Sequence, residues 1–111
     1  MISSSKQYWR GGIRIGNSNF DAINISYPFV TFIIYSSTVE FRINFLFKIK
    51  KITIEMYDIK MIKKVNGFIS NGIQIIHSSL DYPKYIVFWS SKYNDIISEL
   101  ELRLLNIKEQ K

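Results

Sequence analysis

The feature that most constrains this chain is a change of phase. From residue 39 the apolar side chains Val39, Phe41, Ile43, Phe45, Phe47 and Ile49 alternate with Glu40, Arg42, Asn44, Leu46, Lys48 and Lys50. A period of two is that of a strand with one face on a core and the other mainly in water. Ile52 and Ile54 then fall on even positions. A single strand would send them to the solvent face, so a turn or bulge must intervene near residues 48–51. The expectation is a pair of antiparallel strands joined by a lysine-tipped hairpin.

The rest of the chain follows the same logic. Residues 9–15 place Trp9, Ile13 and Ile15 in one phase, with Gly11 and Gly12 marking a kink or a close backbone approach. Residues 16–26, GNSNFDAINIS, mix turn formers with isolated apolar residues and are read as a loop holding at most a short strand. Residues 29–35 form a strand that turns at Ser36 and Ser37 into the one starting at Thr38. Two more strands are expected at 61–66 and 72–78, and SLDYPK then leads to a last one at 85–89. Ala22 is the only alanine, and 15% of the residues are aromatic, so strand formers outnumber good helix formers.

The last segment changes period. Tyr93, Ile96, Ile97, Leu100, Leu104 and Ile107 recur at spacings of three and four, and Asp95, Glu99, Glu101, Arg103 and Lys108 lie largely elsewhere. That is an amphipathic helix, with Ser90, Ser91 or Asn94 available as its cap. A chain of 111 residues supports one core. The expected organisation is a flexible lead-in at residues 1–8, one domain at 9–107 and a tail at 108–111. The fold class is mostly β: about seven antiparallel strands in two packed sheets, curled into a barrel and capped by one C-terminal α-helix.

In that order YDIKMIKKV, GIQIIHSSLDYPKYIVFW and NDIISELELRLL resemble the second half of a pleckstrin homology-like domain of the small, mostly uncharacterised bacterial kind. Residues 9–107 fit the plan in strand order, and 58–105 carry the specific resemblance. It implies a noncatalytic module, in a superfold that hosts lipid, peptide and self-association functions alike. Its phosphoinositide-binding members carry basic residues around the first strand hairpin. Here Arg10 and Arg14 flank the first strand, while GNSNFDAINIS has no lysine or arginine, which departs from that pattern.

Chemistry-bearing motifs are sparse. There is no cysteine, and His77 is the one histidine. Beside Ser78, Ser79 and Asp81 it offers the sharpest catalytic reading. Neighbours in a strand point to opposite faces, so the preferred role is structural, with the imidazole bonded to turn backbone or a tyrosine. GGIRIG lacks the Gly-Lys-Ser/Thr ending of a phosphate loop. No cofactor, metal or enzymatic activity is expected.

The net charge of +6 directs attention to the lysines. Lys48, Lys50 and Lys51 cluster at the proposed hairpin tip, and Lys60, Lys63 and Lys64 lie on the next strand. They form a candidate surface for anionic lipid headgroups, or a solvated edge guarded against aggregation. Nucleic acid is the weaker reading, because Phe41, Phe45 and Phe47 fall in the inward phase. Tyr8, Trp9, Tyr82, Tyr85 and Trp89 suggest a peptide groove, although Trp89 is expected to pack under the helix. The leading expectation is binding of a protein or peptide partner, or of further copies of the chain, through a strand edge or the groove beside the helix. Peripheral attachment to an anionic membrane is the alternative. The longest apolar run, residues 27–35, is about half a membrane span, and the N-terminus lacks the apolar core of a secretory signal, which implies a cytoplasmic protein.

Overall fold

The computed structural model describes residues 7–18, 20–45 and 47–109. Seven antiparallel strands are followed by one helix: β1 (Gln7–Ser18), β2 (Asp21–Ile34), β3 (Thr38–Phe45), β4 (Lys48–Glu55), a 3-10 turn at Met56–Asp58, β5 (Ile59–Val65), β6 (Asn71–His77), β7 (Tyr85–Ser90) and α1 (Tyr93–Glu109). The strands belong to one hydrogen-bonded sheet in the order β4-β3-β2-β1-β7-β6-β5. The two halves anticipated as packed sheets are therefore continuous, joined where β1 pairs with both β2 and β7.

Ring geometry shows that this sheet is folded over on itself. Phe41 on β3 and Phe88 on β7 are three strand spacings apart, roughly 14 Å on a flat sheet. Their ring centroids are 6.0 Å apart, with Phe32 of β2 stacked on Phe41 at 4.7 Å. The enclosed face carries Ile13, Val30, Phe32, Phe41, Ile52, Ile75, Ile86 and Phe88, all buried. Ile96 and Leu100 of α1 join the same cluster together with Met56. The helix thus closes the end of the sheet formed by the 3-10 turn and β6. No helix among the described residues is long and apolar enough to cross a membrane.

Several expectations change at this level. Residues 16–26 are not a loop: β1 runs to Ser18 and β2 starts at Asp21, with Ile15 opposite Ile23 and Ile13 opposite Ile25. The Ser18 hydroxyl accepts from the amides of Phe20 and Asp21, both at 3.2 Å, so the turn formers are spent on a tight reversal. The lead-in expected at 1–8 lies outside the described residues except for Gln7 and Tyr8, which already belong to β1, and α1 runs to Glu109, into the segment read as a tail. Arg103, read as facing water, is buried, and its Nε donates to Glu99 at 2.7 Å.

Trp89 is not under the helix. It projects from the face opposite Phe88, and its ring covers glycines. A Cβ on Gly72 would lie 2.9 Å from the Trp89 ring and 2.7 Å from Val87, so β6 must present glycine there for the indole to lie flat. Gly11 is held in the same way on β1, where a Cβ would collide with the carbonyl oxygen of Trp89.

Candidate functional site

The reversal between β3 and β4 decides where the lysines go. Phe45 pairs with Lys48, Ile43 with Lys50 and Phe41 with Ile52. The chain therefore turns before Lys48, earlier than the phase change alone suggests. Cross-strand partners share a face, so Lys48 and Lys50 lie on the inner face with Ile43, Ile52 and Ile54, while Phe47 and Ile49 are left outside. This inverts the expected orientation of all four. Phe47 has φ 64° and a wholly exposed side chain, and Ile49 is 66% exposed. The Phe45 side chain lies outside the described ones.

The six candidate lysines divide between two strands. β4 and β5 are the two opposite edges of the sheet, so Lys48, Lys50 and Lys51 belong to one edge and Lys60, Lys63 and Lys64 to the other. Lys51 faces outward opposite Arg42, whose guanidinium is paired with Glu40 at 2.8 Å. Lys60 lines a depression between β5 and α1 with Ile62, Glu101 and Leu104. Lys63 is exposed opposite Gln74, and the Lys64 ammonium lies 5.4 Å from the centre of the Tyr93 ring, a cation–π contact.

Lys48 and Lys50 line a cleft of about 550 Å³ at the end of the sheet away from α1. Its floor is Ile15, Ile25, Ile43 and Ile52; the lysines form one wall and Asp81, Tyr82 and Pro83 the other. Strands β1 to β4 and the loop at 78–84 therefore converge on one opening. Each of the three turns around it exposes a large apolar side chain: Phe20 at 95%, Phe47 fully and Leu80 at 90%. Sequence reasoning missed this trio. Each apolar residue sits next to turn formers, and only the sheet order brings the three turns together.

His77 holds the loop that supplies the second wall. It is buried at the end of β6, its Nε2–H donates to the carbonyl oxygen of Pro83 at 2.9 Å, and its Nδ1 accepts from the amide of Ser79 at 3.1 Å. These partners define the tautomer and fasten both ends of the loop. The Ser78 amide bonds to the Asp58 carbonyl oxygen, and the Ser79 hydroxyl accepts from the Asp81 amide. The neighbours that suggested a catalytic group thus make a turn around the ring, and the imidazole bonds turn backbone as expected.

A second groove lies on the outer face. Between Gly11/Val30 and Ile13/Ile25 the β1–β2 register shifts, and residues 26–29 of β2 swing outward with a cis peptide between Tyr27 and Pro28. Tyr27 and Ile69 line this groove with Trp89 and Ser90, and Phe29 and Phe68 are exposed nearby in the chain. Compared with protein-family models, curated proteins and solved structures, the chain matches none of them.

Proposed function

We propose that this chain is a noncatalytic binding module of pleckstrin homology-like plan that docks its open end on an anionic membrane surface. The strand order β4-β3-β2-β1-β7-β6-β5 with a single C-terminal helix supports the family reading. One observation carries the membrane reading. Phe20, Phe47 and Leu80, from three separate turns, are almost wholly exposed around an opening walled by Lys48 and Lys50. Apolar turns flanked by cations suit an interface that is hydrocarbon within and anionic at its surface. Burying such a side chain contributes about 1.5–3 kcal/mol, and each lysine near an anionic leaflet about 1 kcal/mol. In water the same three side chains gain nothing from their position.

A protein partner is the second reading, favoured by the outer groove, where Tyr27 and Ile69 stand exposed beside Trp89 and away from the lysines.

Co-sedimentation with vesicles of phosphatidylcholine alone and with added phosphatidylglycerol separates the two. Binding to the anionic vesicles at physiological salt is expected. Loss is expected both in Phe20→Ser/Phe47→Ser/Leu80→Ser and in Lys48→Gln/Lys50→Gln/Lys51→Gln. Equal sedimentation with both vesicle types, or with neither, overturns the membrane reading and directs attention to the outer groove.

A further inference from the structure

The cavity itself carries a more specific inference, which rests on reading the open end as lipid-facing. We propose that it takes a single-chain anionic amphiphile, with the acyl chain among the isoleucines and the carboxylate or phosphate head against Lys48 and Lys50.

The first argument is the inversion on β4. A strand end that had only to stay soluble would turn its cations outward and its isoleucine inward. Here Ile49 is the outward residue and is 66% exposed, while Lys48 and Lys50 take the phase that Ile52 and Ile54 fill further along the same strand. Inward charges also guard sheet edges against pairing, but an exposed isoleucine between them on that same edge defeats such a guard. A ligand with an apolar body and an anionic head accounts for both cations facing in.

The second argument is the lining. About 550 Å³ lies within the range of small-molecule sites, and the floor offers side chains of one kind, Ile15, Ile25, Ile43 and Ile52. Such a floor gives a sugar or a nucleobase no hydrogen-bond partners. It accepts a hydrocarbon chain. The polar groups are confined to the walls: two ammonium groups on flexible stems from β4, and the Asp81 carboxylate and Tyr82 from the facing loop. Lysine stems lie along apolar surface while their heads reach the mouth. Asp81 repels an anion, so the head is placed on the β4 side and the ligand has a defined direction.

The test is a titration of the full chain, carrying carbon-13 isoleucine methyl groups, with decanoate below its micellar concentration. Monodecanoyl glycerol serves as the neutral chain and acetate as the head alone. Saturable shifts are expected at Ile25, Ile43 and Ile52 with decanoate, with weaker binding of the neutral chain and none of acetate. Lys48→Gln/Lys50→Gln is expected to weaken decanoate roughly tenfold, and Asp81→Asn to tighten it about twofold. Ile43→Trp fills the cleft and removes binding. Should that variant fail to fold, the lysine and aspartate variants still decide, because their side chains are exposed. Equal affinity for the charged and neutral chains, no effect of the lysine pair, or unsaturable shifts led by the outward Ile49 would each overturn the proposal. The variant lacking Phe20, Phe47 and Leu80 keeps decanoate binding whatever it does on vesicles, so failure of the docking reading and failure of the cavity reading are separate results.

Discussion

At the end of the sheet closed by α1, the inner phase of β4 carries Ile54 and leads to Met56, each at most 1% exposed. Two residues before Ile52 the same phase carries Lys50, and two before that Lys48, both exposed. The strand, the face and the spacing are the same, yet one end is a finished core and the other a mouth. The difference lies in what covers each end. A helix contributing Ile96 and Leu100 closes the first, whereas three turns with outward Phe20, Phe47 and Leu80 surround the second. A domain stabilised at one end has apolar surface left at the other for something that is not itself, and that makes the open end the place to look for a ligand.

The comparison is broken most strongly from the closed end. Leu100 is fully buried in the main cluster, so Leu100→Ala is expected to cost about 2–5 kcal/mol through lost contacts and the cavity left behind. Urea denaturation should show a lower midpoint with little change in slope. A loss below about 1 kcal/mol would mean that α1 lies on the sheet without completing its core.

The next effect belongs to the hinge of the open end. His77→Ala removes two bonds that hold the loop at 78–84 and is expected to cost on the order of 1–3 kcal/mol. The readout that separates a loop clamp from a core residue is hydrogen exchange. The Ser79 amide should exchange much faster in the variant, while amides in the centre of β1 keep their protection relative to the new global stability. Uniform acceleration across all strands would make His77 an ordinary core residue.

How far the sequence carried this picture depends on what each signal measures. Period two and period 3.6 report which side of an element is buried, and they located β3 and α1 closely, because each has a water side and a core side; β6 and β7, which have no exposed residue, were placed as apolar runs bounded by turn formers. Residues 21–26 failed as a strand because only Ile25 of that stretch is buried, the rest of β2 there having no β3 alongside. On β4 the phase change was read correctly as a reversal, but alternation cannot say on which residue the chain turns. A shift of the turn exchanged the faces of Lys48 and Ile49. That His77 bonds turn backbone was legible, though not that it clamps a cavity wall, since Pro83 comes opposite the ring only after the loop closes. The two lysine groups were read as neighbours because β4 and β5 are consecutive in the chain, whereas these strands are the first and last in the sheet order and do not pair.

The smallest expected effect sharpens the comparison furthest. Phe47 is a bulky residue at positive φ, a conformation that costs an L side chain about 1–2 kcal/mol, and its ring is wholly exposed, so neither backbone nor packing favours it. Asn tolerates that backbone region and does not seek burial. Phe47→Asn is therefore expected to raise stability by on the order of 1 kcal/mol in urea titration while lowering the fraction sedimented with anionic vesicles. Opposite signs in the two measurements would show that the turn is kept for contact with a partner at the expense of the fold. A gain in stability with vesicle binding unchanged would take Phe47 out of the docking surface and leave Phe20 and Leu80 to account for it.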